Sequence, residues 1–534
     1  MTDRTNNPAA AKAGALLDRK NIQIEVEEYD LKNLAVKTPS LFIVNQVLDD
    51  VDEWVMVELL SRQAVPFRVL VRRAKVHSDH DGYFLPLNYS LLQWEEYVKA
   101  IFKQLTLAKS GGYSLVLLLH FTDRSLDTPV RDQFLNRLMR AVMRAEMPVV
   151  PVRLKAPFPS FIRPALGTRL IQRNRREPYK VTVRCGSPIS VEDQKKLGKP
   201  KDFRRYIQSR IFSLGSGLEV KPFFLSHFFQ KTEEQEPLAP PVDNLLIINE
   251  IARLNYGCLI ASQGGYDIFV AEAKDIPHTL QEIGRLREIT FRAVGEGTGK
   301  ASDFDEYDLY YHHLILWDSG AKRLVGGYRM GLGDEIFERY GTAGFYISSL
   351  FKIRNGFYPI MRKAVELGRS YITPDYQKKR LPLFLLWKGI LYFLLKNPQY
   401  RYLYGPVSIS KYYSNISRGV IVAYIRKYFF NHELAKYLRP RKPFKVQVDK
   451  VDIEMLAGNL GDELTALDSL IEDIEPDHIR IPVLVRQYLK LNARFISFNV
   501  DPQFSDVLDG FIILDLNDVP YSMIEALKKE SGAN

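Results

Sequence analysis

Seven residues in the second half of this 534-residue chain have the types and spacing to do chemistry. Glu366 stands three residues before Arg369 in AVELGRSYI (364–372), a run that otherwise reads as a strand. Arg287 and Phe291 lie one turn apart on an expected helix and so share a face. Asp305 and Asp308 occupy DFDEYD, just ahead of the strand-like HHLILWD, and Arg329 follows VGGY on the next strand. A positioned carboxylate can take up a proton, and a guanidinium can grip a carboxylate with two parallel hydrogen bonds. Any one of these residues is explained as well by a surface ion pair or a helix cap. Their joint occurrence on consecutive elements points instead to one site.

The elements that must position them follow from the apolar periodicity. After position 245 the chain reads as a helix (LLIINEIARL), two short strands (CLIASQ, YDIFVAEA) and a second helix (HTLQEIGRLREITFRAV). A strand pair turned at Asp318-Ser319-Gly320 comes next, and beyond AVELGRSYI lies the apolar helix LPLFLLWKGILYFLLK. The first half alternates strands (LFIVNQ, FRVLVRR, YSLVLLLHF, PVVPVRL, YKVTVRCG) with amphipathic helices (QWEEYVKAIFKQLTLAK, VRDQFLNRLMRAVMRAE). Both halves therefore predict α/β layers. The expected division is a flexible tail over 1–20, a first domain over 21–227, a Pro- and Glu-rich linker over 228–244 and a second domain over 245–534.

Two cysteines and nine scattered histidines make no metal-binding or redox spacing, which speaks against a metalloenzyme. The N-terminus carries no apolar leader, and the longest apolar run is too short to span a bilayer and is interrupted by Lys388, so a cytoplasmic protein is expected. The net charge of +11 is concentrated in RLIQRNRREPYK (169–180), KPKDFRRYIQSR (199–210) and YLRPRKPFK (437–445). Such clusters suit an acidic protein or the anionic inner-membrane surface as partner. Without a nucleic-acid-binding signature, no nucleic-acid partner is expected.

The order Arg-x-x-x-Phe, Asp-x-x-Asp, Gly-x-x-Arg, Glu-Leu-x-Arg resembles the signature of acyl-homoserine-lactone synthases, acyltransferases of the GNAT fold. The segments EIGRLREITFRAVGEGTG, LVGGYRMG, ELGRSYITPDYQ and YGPVSIS resemble still more closely the bacterial, hemolysin-like ornithine-acyl carrier protein N-acyltransferases, over about 245 to 518. The resemblance implies an N-acyltransferase that moves a fatty, often 3-hydroxylated, acyl group from a carrier-protein or coenzyme A thioester to an amino acid, with no bound cofactor. The product would be a lyso-aminolipid or N-acyl amino acid. It also implies roles. An α-amino group is largely an ammonium at pH 7, and Glu366 would remove its proton. Arg369 would hold Glu366 ionised or bind the substrate carboxylate, while Arg287, Phe291, Asp305, Asp308 and Arg329 would shape the amino-acid site. The Gln/Arg-x-x-Gly-x-Gly/Ala loop that cradles coenzyme A in most GNAT enzymes is missing, as use of acyl carrier protein would predict.

The first half, about 30 to 215, resembles glycerolipid acyltransferases. There the first strand ends in Asn-His, with an Asp five or six residues later. Here it ends FIVNQVLDD, with Gln46 in place of the histidine and Asp52 retained. Glutamine takes no proton at neutral pH, so this domain reads as degenerate. The comparable stretch LLHFTDRS (118–125) is eroded as well, and His120 lies on a different element. Two alternatives stand beside the N-acyltransferase: a bifunctional N- and O-acyltransferase, and a non-catalytic binder of lipid or carrier protein.

Overall fold

The computed structural model describes residues 8–48, 50–63, 66–71, 83–87, 93–121, 128–156, 178–216, 235–254, 257–446, 448, 450–501 and 506–520. The chain forms two compact units. The first comprises 1–219, 415–423 and 447–480, the second 220–414, 424–446 and 481–534.

The first unit holds a seven-stranded sheet of order β1-β7-β6-β2-β5-β3-β4. Its strands are β1 (Ile22–Val26), β2 (Leu41–Asn45), β3 (Phe67–Val71), β4 (Phe84–Pro86), β5 (Ser114–Leu119), β6 (Val149–Lys155) and β7 (Tyr179–Cys185). All neighbours run parallel except β6 and β7. Every residue of β2 is buried, as expected for a central parallel strand covered on both faces.

Three of the expected assignments change, the first being that residues 415–423, expected in the second domain, fall in the first unit. Residues expected in a flexible tail form the helix Pro8–Arg19, whose Ala13 and Leu17 join the core around Phe42, Val55 and Val183. Residues 447–480, expected in the second domain, belong to the first unit. The reason is a buried polar knot: the Asp473 carboxylate accepts bonds from Arg210 (2.7 Å), Ser187 N (2.9 Å), Ser187 Oγ (3.1 Å) and Tyr29 (2.9 Å). The basic segment 199–210 spends its charge at home, with Arg204 on Asp132, Arg205 on Asp452 and Arg210 on Asp473. Residues 169–177 of the first basic cluster and 122–125 of LLHFTDRS lie outside the described residues.

The second unit is built on an eight-stranded sheet of order β16-β17-β14-β13-β11-β10-β9-β8. Its strands are β8 (Leu259–Gln263), β9 (Tyr266–Glu272), β10 (His312–Asp318), β11 (Arg323–Leu332), β13 (Ala364–Ile372), β14 (Tyr402–Ile409), β16 (Arg494–Asp501) and β17 (Val507–Asp515). A small ribbon pairs β12 (Phe351–Ile353) with β15 (Leu438–Pro440). Neighbours in the large sheet are antiparallel except β13 and β14. One face carries two apolar clusters. Phe269, Phe291, Ile315 and Tyr371 belong to the first; Tyr311, Phe345, Tyr404 and Phe511 belong to the second. The helix Arg380–Lys396 covers the other face, with Gly389 against Ile268 and Leu314. Its Lys388 is buried and donates to Gln263 (2.5 Å). No helix of the described chain is long and apolar enough to cross a membrane.

Candidate active site

Strict alternation along β13 would send Glu366 and Arg369 to opposite faces of the sheet. A bulge prevents it. Arg329 pairs with Gly368 and Gly327 with Tyr371, so β13 carries one residue more than β11 over this interval. Arg369 absorbs the excess in a left-handed conformation (φ 49°). Bulges of this kind re-aim a side chain. The Arg369 guanidinium thereby reaches Asp303 (3.0 Å) and Asp305 (3.5 Å), the partners of the arginines on the Glu366 face.

Those partners form a closed ionic network. On the helix Pro277–Ala293, Arg287 grips Asp308 with two bonds of 2.8 and 2.9 Å and meets Asp303 at 2.9 Å. Arg329 sits 2.5 Å from Asp305 and 3.4 Å from Asp308, and its guanidinium is ringed by Tyr307, Tyr311 and Tyr346 at 5.3–5.4 Å. Asp305 and Asp308 also form a reciprocal cap for the short turn Glu306–Leu309. Three guanidinium groups thus meet three carboxylates, and the set is neutral. Burial opposes ionisation of Asp308, but Arg287 and Arg329 outweigh it and hold its carboxyl well below the ordinary range. Within the set each charge has an opposite partner. Phe291, expected to line the substrate site, packs into the apolar cluster with Tyr371 and Val507.

Glu366 is 1% exposed, and both its oxygens are engaged. Tyr311 Oη donates to one (2.7 Å) and the backbone N–H of Ile347 to the other (2.7 Å). Burial pushes its pKa up to about 7, against the pull of those two donors and of Arg329. Tyr311 Oη in turn accepts from Tyr346 N (3.0 Å). The carboxylate therefore fixes the turn that carries Tyr346. The Tyr346 hydroxyl accepts from Arg369 (3.3 Å) and donates to Asp501 (3.3 Å).

The parallel ladder between β13 and β14 spans only three residue pairs, the last being Glu366 with Tyr404. Beyond it no ladder pair joins the two strands. Gly405 follows the last pair and still lies close against β13: a Cβ there would lie 2.0 Å from the Leu367 carbonyl oxygen. Past it β13 changes from buried to half-buried over 368–370, and a Cβ on Gly368 would meet nothing within 4 Å. Open space beside unpaired strand edges suits a thioester, whose oxygen needs N–H donors as charge develops on it.

Of the expected residues, Arg287, Asp305, Asp308, Arg329, Glu366 and Arg369 come together, and Phe291 supports them from the core. Sequence reasoning missed Asp303, which opens the same DFDEYD motif, and Tyr311, Tyr346, Asp501 and Asp509. In the first unit Gln46 follows β2, its N–H donating to Leu119 O (3.0 Å). Asp52 is fully buried and accepts from Val47 N and from Leu48 N (2.7 Å), which ties the turn after β2 to the helix Asp50–Arg62. Glu27, Asp30 and His478 cluster there as metal-ligand types. Arg184 already supplies a cation, 3.2 Å from Asp30 and 3.5 Å from His478.

Residues 286–387 match the acetyltransferase (GNAT) domain family. The chain is 33% identical over 273 residues to a glycine N(alpha)-acyltransferase of Phocaeicola vulgatus, covering 47% of this chain and 81% of that protein. It is 27% identical over 299 residues to a glycine N(alpha)-acyltransferase of Bacteroides thetaiotaomicron, covering 53% and 87%. An L-ornithine N(alpha)-acyltransferase of Rhizobium meliloti is 32% identical over 119 residues, covering 21% of this chain and 38% of that protein. The chain belongs to this family of GNAT-fold N(alpha)-acyltransferases and is an amide-forming acyltransferase.

Proposed function

We propose that the second unit transfers a fatty acyl group from an acyl carrier protein thioester, or an acyl-CoA, to the α-amino group of an amino acid, giving an N-acyl amino acid or lyso-aminolipid. The observation that carries this reading is the end of the β13–β14 ladder at Glu366 and Tyr404, past which β13 is half-buried over 368–370 and Gly368 faces open space. The names of the glycine and ornithine relatives support an amino-acid acceptor. The net charge of +11 supports an acidic carrier protein and peripheral association with the anionic cytoplasmic face of the inner membrane.

The first unit is proposed to be a degenerate glycerolipid-acyltransferase-like domain. Gln46 provides no base, and Asp52 is committed to holding two backbone N–H groups. The product should therefore carry one acyl chain. Mass spectrometry of lipid extracts from a bacterial host with and without the chain tests the reading. A new N-acyl amino acid supports it and identifies the acceptor. With folded chain and supplied acyl carrier protein thioester, no new species overturns it.

A further inference from the structure

Cross-strand partners in a ladder share a face. Glu366 pairs with Tyr404, and along β14 the same face passes through Pro406 opposite Phe511 to Ser408 opposite Asp509. Glu366 and Asp509 therefore lie on one face of the sheet. Four residue steps along β14 separate the Tyr404 and Ser408 rungs, roughly 13 Å at the usual rise. Glu366 lies at the end where the strands still pair. Asp509 lies at the other end, past the half-exposed, unobstructed Gly368.

Asp509 is 3% exposed, and Ser408 Oγ donates to its Oδ1 (2.8 Å). Among the described residues its Oδ2 has no donor, and no arginine or lysine nitrogen lies within ion-pair distance. Its electrostatic neighbours are Asp501 on β16, Glu296 in the loop after Pro277–Ala293, and Arg369 on β13. Ser410 Oγ donates to Val294 O (2.9 Å), tying that loop to the end of β14. Burial, aided by Asp501 and Glu296 and opposed by Ser408 and Arg369, pushes the Asp509 pKa up to about 8. A carboxylate this deeply buried with no ion-pair partner favours its protonated form or a cation. The three arginines of the network are paired with Asp303, Asp305 and Asp308 instead.

We propose that Asp509 is the catalytic base that receives the acceptor's amino group, and that Glu366 is a positioning residue that holds Tyr311 and the Tyr346 turn. This rests on the amino-acid N-acylation reading. The ionised Asp509 binds the ammonium through Oδ2 and takes one proton, leaving a neutral amine. The nitrogen attacks the thioester carbonyl as a C–N bond forms. The C–S bond then breaks, the nitrogen loses its second proton, and the thiolate leaves and is protonated. Amine plus thioester gives amide plus thiol, with no other reagent.

The test uses the full chain, an acyl thioester and two acceptors: the amino acid and hydroxylamine, an amine largely unprotonated at neutral pH that needs no base. Asparagine imitates the protonated acid, so Asp509→Asn should fold. It should lose roughly 10²–10⁴-fold in kcat/KM with the amino acid. It should also lose the rise of kcat/KM toward pH 8, yet stay within about 10-fold of the unaltered chain with hydroxylamine. Glu366→Gln should slow both acceptors alike and keep the rise. If Asp509→Asn does not fold, Ser408→Ala carries the test, with a loss of about 2- to 10-fold confined to the amino acid. Equal losses with both acceptors in the Asp509 or Ser408 variant, or an unchanged amino-acid rate, overturn the assignment. A parent chain that acylates no amino acid but still transfers to hydroxylamine overturns the functional reading instead.

Discussion

Arg287 offers the sharpest test of the idea that the ionic network is scaffold rather than substrate-binding machinery. Its side chain is 1% exposed, between Asp308 at 0% and Asp303 at 2%. Replacing it with methionine keeps the volume but removes both of its bonds to Asp308, leaving that buried carboxylate only the longer ion pair to Arg329 at 3.4 Å. Breaking a buried pair from one side costs about 3–5 kcal/mol, whereas removing both charges is close to neutral. With a urea m-value of about 3 kcal/mol/M, Arg287→Met should lower the second unit's unfolding midpoint by about 1–2 M. Adding Asp308→Asn should recover at least half of the loss, since an amide oxygen can still accept the Asp305 N–H that caps the turn. The pH dependence has a definite sign. The folded pKa of Asp308 is depressed, so its contribution is present above the unfolded value near 4 and is lost only as pH falls through the much lower folded value. The defect of Arg287→Met should therefore shrink in acid, where the under-paired carboxylate protonates. A double variant whose loss equals the sum of the two single losses would refute the reasoning, as would a single variant within 1 kcal/mol of the parent.

Gly405→Ala places a Cβ 2.0 Å from the Leu367 carbonyl oxygen, so the backbone must shift where the β13–β14 ladder ends. A loss of about 1–3 kcal/mol in thermal unfolding, together with a raised KM for the thioester, is expected. Glu366 and Asp509 have pKa values raised to about 7 and about 8, so the folded state binds more protons than the unfolded state from about pH 4 upward. Stability of the second unit should fall as pH rises through that window, with each group contributing about 1.4 kcal/mol per pH unit until its own folded pKa. Calorimetry from pH 5 to 9 checks the slope, which the double variant Glu366→Gln/Asp509→Asn should flatten. In the first unit, the lipid product should show a single amide-linked chain by tandem mass spectrometry. A second, ester-linked chain would mean that Gln46 does not silence that site.

Much of this was legible in the sequence because it is written in local periodicity. Strands such as LFIVN and helices such as QLTLAK declare themselves through patterns of two and three to four residues. Ala10, Ala13 and Leu17 likewise make a helical stripe within the supposed tail, a signal hidden by its alanine-rich composition. The placement of 447–480 in the first unit was not legible, because it depends on Asp473 meeting Arg210, a residue 263 positions away. Phe291 shows the converse limit: one turn from Arg287 is shared by core and site alike.

The bulge at Arg369 is the larger lesson. Three-residue spacing in a strand ordinarily separates two side chains onto opposite faces, so Glu366 and Arg369 gave no local reason to be placed together. Only the left-handed residue reconciles them, and an arginine in that conformation is not announced by its neighbours. Asp509 did leave a signal. VLDGFIILD is buried at eight of its nine positions, and Asp509 is the ionisable residue inside that apolar run. A lone carboxylate there must find a partner, carry a proton or await a ligand. Glu366 found partners in Tyr311 and Ile347, and the three aspartates around Arg287 found arginines. Asp509 found only a hydroxyl on one oxygen, which leaves the other for a cation that arrives with the reaction.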